Sequence, residues 1–195
     1  MNPLDTPLFP LSTVLFPGGT LNLRIFEPRY LSMVRDCTSE NRPFGVLLLL
    51  RGQEAGAASS VVAIGTLAHI VDFDALPDGL LGIRVQGGLR FHVDQVHGRN
   101  DGLLLGRIST WPEERSEPLP PEYALLGTLA GNLYDNLMPG APTPSKAQLD
   151  DASWVGQRLA EMLPFDLSER QQMLEMQDAR ERLQRIVEAL PRFRE

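Results

Sequence analysis

Lysine is nearly absent from this chain of 195 residues: Lys146 is the only lysine among 18 basic residues, and the others are arginine. A Walker A loop binds nucleotide phosphates with a lysine that directly follows a glycine-rich run, whereas Lys146 follows Pro144 and Ser145. The sequence therefore excludes ATP binding by such a loop. A serine nucleophile with a lysine base is also disfavoured, because Ser145 and Lys146 are neighbours in a proline-containing loop.

Cysteine is almost as rare. Cys37 is the only one, so the chain forms no internal disulfide and no cysteine-based zinc site. Cys37 paired with His69, His92 or His97 remains as a nucleophile and its base, but Cys37 falls on the apolar stripe of a predicted helix, which favours a buried structural thiol. His92 and His97 are expected on a solvated strand face with too few ligands for a metal. We expect no catalytic residue, no metal and no cofactor.

Long apolar runs and excess positive charge are missing too. The longest strongly apolar run, 46–50, is far too short to cross a bilayer, and residues 1–11 lack the basic and apolar regions of a signal peptide. The default expectation is a cytoplasmic protein. The net charge of −7 repels phosphate backbones and anionic lipids, so neither nucleic acid nor a membrane is an expected partner.

Alternating apolar and polar residues in the first 115 positions predict short strands separated by turns, with one helix beginning at Pro28. Gly87 and Gly88 interrupt one such run and predict a bulge or a bend. The interval 72–79 is predicted to be a loop, as is 53–60. A small barrel is the expected closure, because it leaves few exposed edges. The predicted strands are 8–11, 21–26, 46–50, 61–71 (broken by Gly65), 81–94 and 103–108.

Beyond a proline-rich acidic stretch at 111–121, the period becomes helical. We predict a barrel domain at 1–115 and a helical bundle at 116–195, with helices at 123–137 and 152–163. A third helix is predicted from a capping box at Ser168–Gln171 to about residue 190. Met176, Leu183 and Leu190 would form its apolar stripe. The methionines Met162, Met173 and Met176 are expected in the core.

Six short segments carry motifs of a known family. Segments 7–11, 15–18 and 21–30 read PLFPL, LFPG and LNLRIFEPRY, and they are similar to the opening of the N-terminal substrate-recognition domain of Lon proteases. Segments 64–66, 85–91 and 178–183 are similar to its later strands and closing helix. The most specific part is the motif that follows the PLFPL start: Phe26, Glu27, Pro28, Arg29 and Tyr30. The likeness spans nearly the whole chain.

The resemblance implies an α+β fold: a PUA-like β pseudo-barrel with one inserted helix, followed by a C-terminal α-helical bundle. It also implies a non-catalytic, bacterial-type module that recognises unfolded or extended polypeptides in protein quality control. The 195 residues contain nothing similar to the ATPase or peptidase of Lon, so a free-standing module is expected, with a separate protease or ATPase as partner. In Lon proteases this domain also contributes to oligomer assembly.

Peptide contact is expected at an exposed strand edge or groove. The predicted contact residues are Phe73 and Leu76, apolar residues in a predicted loop, and Arg84 and Arg90 on a predicted polar strand face. Glu27 and Arg29 are interpreted as a helix-start device, with Arg29 tying the sheet to the bundle. Two alternatives stay open: RNA binding, by analogy with other PUA-like folds, and a small hydrolase. The acidic balance and the scarcity of lysine argue against RNA.

Overall fold

The computed structural model describes residues 5–49, 61–138 and 141–193. Residue 50, the predicted loop 53–60 and two residues of the predicted loop 139–144 lie outside the described residues. The chain divides into two units, Met1–Glu113 and Glu114–Glu195. Within the described residues, the first unit contains six strands and one α-helix, and the second contains the other helices. The predicted α+β class is confirmed.

The strands of the first unit are β1 (Thr6–Leu11), β2 (Thr20–Ile25), β3 (Phe44–Leu48), β4 (Ile64–Ala75), β5 (Leu81–Gly98) and β6 (Leu104–Thr110), with helix α1 (Pro28–Ser39) between β2 and β3. Five strands close into a ring in the order β1-β3-β4-β5-β6, because β6 pairs with both β1 and β5. Among the described strands, β1 and β3 are the one parallel pair. In the described part of the chain, β2 pairs with β5 alone and forms an edge.

Strand β5 has 18 residues and pairs with three other strands of the sheet, β2, β4 and β6. Its first part pairs with β2, and its second part closes the ring against β6. Between them, the register with β4 slips by one residue after Gly87, so the bulge predicted from the glycine pair is confirmed. A Cβ at position 87 would lie 2.2 Å from the carbonyl oxygen of Phe16. Phe16 belongs to the turn Phe16–Gly19, which is held against β5 by two backbone hydrogen bonds of 2.8 Å. The Gly18 amide donates to the Gly87 carbonyl, and the Gly87 amide donates to the Gly19 carbonyl.

Strand β4 differs from the prediction at both ends. It passes through Gly65 without a break, and a Cβ there would lie 2.2 Å from the backbone oxygen of Val46. The strand begins at Ile64 and not at 61 as predicted, so Gly65 is its second residue. The glycine is a site of close approach between strands. The strand also continues to Ala75, through the first half of the predicted loop 72–79, because Asp72 and Asp74 pair with residues of β5.

Helix α1 covers one side of the barrel core. Pro28 occupies its first turn, as predicted, and Glu27 is the N-cap residue but makes no side-chain capping bond. Tyr30 stacks on Phe9 with ring centroids 4.0 Å apart. Arg29 bonds Glu27 at 2.7 Å and donates to the Gly102 carbonyl at 3.1 Å, both within the barrel unit. Its suggested tie to the bundle stays a prediction.

The helices of the second unit are α2 (Ala124–Leu137), α3 (Lys146–Leu149), α4 (Ala152–Met162), α5 (Leu167–Glu175) and α6 (Ala179–Ala189). The single helix predicted from about residue 168 to 190 is two helices, because Asp178 accepts from the Arg180 amide and starts α6 afresh. The capping box is formed by Asp166 and Glu169, two residues before the predicted one. Met173 is buried, as expected, whereas Met162 and Met176 are half-buried.

A buried ion pair joins the beginning of this unit to its last two helices. Arg182 has a side chain 1% exposed and donates to both Glu114 carboxylate oxygens, at 2.8 and 3.0 Å. It also donates to the carbonyls of Met173 and Met176, at 3.0 and 2.7 Å. One guanidinium therefore donates to two backbone carbonyls where α5 ends and before α6 begins. No helix among the described residues is long and apolar enough to span a membrane.

Removal of Glu114 is expected to destabilise this unit strongly. The substitution Glu114→Ala leaves the Arg182 charge buried without its carboxylate, which costs about 3 kcal/mol of unfolding free energy. The matched control is Glu117→Ala, whose carboxylate lies 3.8 Å from Arg180 on the surface, and it should cost less than about 1 kcal/mol. Urea unfolding followed by Trp154 fluorescence in a Trp111→Phe background measures both; equal losses would contradict the prediction.

Candidate functional site

A groove of about 580 Å³ lies on the sheet formed by β2, β5 and the far end of β4. We call it the hairpin groove, since the β4–β5 hairpin supplies most of its surface. All of its lining residues belong to the barrel unit. They are Asn22, Leu23, Arg24, Asp72, Phe73, Asp74, Leu76, Gly82, Ile83 and Arg84.

The strand register explains how these residues meet. Asn22, Arg84 and Asp72 form one row across the three strands, and Arg24, Gly82 and Asp74 form another. Side chains in these two rows share a face, because they are two residues apart on each strand. The row between them ends at Phe73 and includes Ile83, which belongs to the core.

Gly82 sets the depth of the groove. A Cβ at this position would lie 3.1 Å from the Leu76 Cδ2 atom and 3.3 Å from the Asp74 carbonyl oxygen. Leu76 therefore rests against the sheet where a side chain is missing. The result is an apolar surface between a cation, Arg24, and a carboxylate, Asp74.

Most of the groove charges are neutralised within the groove. Arg84 bonds Asp72 at 2.8 Å, and Arg24 is paired with Asp78 from the hairpin turn. Among the described residues, Asp74 has no ion-pair partner. The groove thus carries one uncompensated negative charge beside an apolar surface.

Strand β2 presents an open edge beside the groove. Its six residues, TLNLRI, contain no proline and a single charge. Proline and charge are the usual means by which an edge strand resists pairing with another chain. The exposed edge of β2 is therefore available for pairing with an extended backbone.

Three of the four predicted contact residues line the hairpin groove: Phe73, Leu76 and Arg84. Phe73 was predicted in a loop, but it lies on β4 and is 50% exposed. Arg90, the fourth, was predicted on a polar exposed face, and this is wrong. It is 5% exposed, its guanidinium lies 5.1 Å from the Trp111 ring centroid, and its carbonyl accepts from the Trp111 amide.

The error at Arg90 has a physical cause. The bulge after Gly87 changes which residues of β5 face outward, so the alternation of the first part of the strand does not extend to Arg90. The stacking of Arg90 on Trp111, twenty-one residues later, leaves no local signal in the sequence. Sequence reasoning also missed Asn22, Arg24 and Gly82, whose roles depend on the register between β2 and β5.

The thiol that sequence analysis considered as a nucleophile is buried. Cys37 is 1% exposed, and burial raises the pKa of its thiol to about 11. At neutral pH it is protonated and packed among apolar residues of the barrel core. These surroundings favour the structural role that the apolar stripe of α1 predicted.

A serine, an aspartate and a histidine meet elsewhere on the barrel, but in the wrong order for nucleophilic catalysis. Ser109 donates to Asp94 at 2.6 Å, and the His92 ring lies 3.0 Å from the same carboxylate. These contacts, Ser109 first, lower the pKa of Asp94. A catalytic histidine must lie between the hydroxyl and the carboxylate to take the proton, whereas here the carboxylate is in the middle. Within the described ranges, no group of three or more potential ligands is placed to hold a metal.

Comparison with known proteins places this fold in one family. The model of the ATP-dependent protease La (LON) substrate-binding domain matches residues 5–192. A crystal structure of a Lon N-terminal domain protein from Xanthomonas campestris superposes with a TM-score of 0.78 and 38% identity, covering 94% of this chain and 96% of that one. The N-terminal domain of a Mycobacterium avium complex Lon protease shares the fold, with a TM-score of 0.64 and 16% identity over 94% of this chain and 96% of that one.

The chain belongs to the Lon substrate-binding domain family, and the resemblance read from its sequence is confirmed. Lon protease 2 of Herpetosiphon aurantiacus is 31% identical over 195 residues, which are 94% of this chain and 23% of that protein. Lon protease 2 of Myxococcus xanthus is 27% identical over 99% of this chain and 24% of its own length. The chain spans about a quarter of the length of these curated relatives.

The burial of Cys37 predicts an unreactive thiol. Native protein should react very slowly with a thiol-specific disulfide reagent at about pH 8, because the thiol stays protonated and covered well above the pH at which free cysteines ionise. Unfolding in urea should release one reactive thiol per chain. Rapid labelling of the native protein would show instead that Cys37 is accessible and ionised.

Proposed function

We propose that this chain recognises extended segments of other polypeptides in protein quality control and breaks no bond itself. Its family is described as a substrate-binding domain, which supports a recognition role. The observation that carries the proposal is the open edge of β2 beside the hairpin groove. A partner of this geometry is an extended backbone that pairs with β2 while its side chains reach the groove.

Edge pairing suits a protein that must accept many sequences. The added strand is held by main-chain hydrogen bonds, which every residue except proline offers. Folded proteins have few unpaired extended segments, so this mode favours unfolded or partly unfolded chains. The adjoining groove then adds contacts with individual side chains.

The relatives suggest what happens to the bound chain. Proteins named Lon protease contain this domain as about a quarter of their length. We propose that polypeptides held here are destined for an ATP-dependent protease, acting as a partner of the domain. Incubation of this chain with casein, with or without ATP, should yield no hydrolysis, because the described residues hold no aligned nucleophile and base.

RNA binding is less well supported. The chain has a net charge of −7, and Arg24 and Arg84 in the groove are already paired with carboxylates. Phosphate contacts need unpaired cations whose counterions are released on binding. A salt-dependent mobility shift with a structured RNA would contradict this assignment.

Truncation of Phe73 is expected to weaken polypeptide binding. Phe73→Ala removes a half-exposed aromatic side chain at the border of the groove, on the face of β4 opposite Asp72 and Asp74. Loss of such an anchor costs about tenfold in affinity. Val96→Ala is the matched control, because Val96 is 45% exposed on β5 but lies outside the groove. Fluorescence anisotropy with labelled reduced, carboxymethylated α-lactalbumin measures both. Equal affinities of the two variants for the unfolded protein would show that Phe73 does not contribute to binding.

Backbone hydrogen exchange tests the edge directly. Saturation with the same unfolded protein should slow exchange in Thr20–Ile25, where the added strand would pair with β2. The internal control is Leu104–Gly106, which already pairs with β1 on one side and β5 on the other. Unchanged exchange in Thr20–Ile25 at saturation would rule out edge pairing, even if binding occurs.

A further inference from the structure

We propose that the hairpin groove selects extended segments in which an apolar side chain is closely followed by a lysine or an arginine. This inference rests on the proposed function, because it assigns a sequence preference to the same groove. Gly82 and Asp74 are the residues that determine the preference. They lie opposite each other in the register of β4 and β5.

The apolar half of the preference comes from Gly82 and Leu76. A Cβ at 82 would lie 3.1 Å from the Leu76 Cδ2 atom, so even alanine there would push the end of the Leu76 side chain away from the sheet by a few tenths of an ångström. With glycine, Leu76 lies low and leaves an apolar surface beneath open space. An aliphatic side chain from a bound segment loses water-exposed area on that surface, which favours binding.

The basic half of the preference comes from the charges at the rim. Arg24 and Arg84 are each paired with a carboxylate of their own, Asp78 and Asp72. Asp74 is the one lining charge that no described ion pair compensates. A lysine or arginine that follows the apolar residue can reach Asp74, whereas an acidic residue there meets a like charge. The occupant that complements the groove is therefore apolar and basic.

Three labelled peptides with a serine–threonine backbone test both halves. The first carries one leucine with a lysine two positions later, the second replaces the leucine by serine, and the third replaces the lysine by glutamate. The wild-type chain should bind the first peptide about fivefold to tenfold more tightly than the second. It should prefer lysine to glutamate by about threefold at low salt, a difference that high salt abolishes.

Paired variants assign each preference to its residue. Gly82→Ala should abolish most of the leucine preference, and Gly98→Ala on the same strand should not, because a Cβ at 98 meets nothing within 4 Å. Asp74→Asn should abolish the lysine preference, and Asp135→Asn on exposed α2 should not. Leu76→Ala gives a second test of the apolar surface that adds no atoms to the sheet.

The outcomes separate this inference from the proposed function. Loss of each preference in its own variant, with unchanged controls, supports the inference. Equal binding of all three peptides by the wild-type chain, with Phe73→Ala still weakening the unfolded protein, overturns the preference and leaves polypeptide recognition standing. Absence of saturable binding by the peptides and the unfolded protein overturns both.

Discussion

The architecture of the barrel unit depends on one long strand that pairs with three others. The 18 residues of β5 pair with β2 in their first part and with β6 in their second. The bulge after Gly87 separates these two parts, and a bulge bends the strand that contains it. Only glycine allows the Phe16 carbonyl within 2.2 Å of where a Cβ would lie, so the turn at Phe16–Gly19 can hold the bend through backbone hydrogen bonds. The open edge and the groove are consequences of that junction.

The helical unit depends on a different kind of constraint. The end of α5 leaves the backbone carbonyls of Met173 and Met176 without helical partners, so they need other hydrogen-bond donors. Arg182 supplies both hydrogen bonds, and Glu114 then neutralises the buried charge. A buried ion pair adds little net stability compared with apolar packing. It favours a single packing of the helices, because any other packing would leave a buried charge without its partner. The pair thereby connects the first residue of the unit to its last helix.

The sequence predicted what depends on local periodicity. The helix at Pro28, the bulge near Gly87 and the helical second part all follow from patterns within a few residues, and the family motif located the fold. The errors occur where distant residues decide. Asp72 and Asp74 look like loop residues, yet pairing with β5 extends β4 through them. Ser168 looks like a cap, yet Asp166 precedes it with the better-placed carboxylate and Glu169 as its partner.

The same distinction applies to the groove. The sequence predicts Phe73 and Leu76 as apolar loop residues and Arg84 as a residue of a polar strand face, and all three line the groove. No pattern in the sequence shows that Gly82 lies between Arg24 and Asp74, since that row exists only after β2, β5 and β4 have paired. From the sequence alone, a glycine within a strand indicates only a less stable strand. Its role in the groove becomes clear once the residues paired with it on β2 and β4 are known.

An exposed edge strand is a hazard, and the way β2 limits it is informative about its use. The strand is only six residues long, and the outward side chains Asn22 and Arg24 keep its exposed face polar. Short length and polarity reduce pairing between copies of the chain, because few backbone bonds are gained for the order imposed. Six residues still suffice for pairing with an extended segment of another polypeptide. Length and polarity therefore limit self-association of the edge without closing it to a partner.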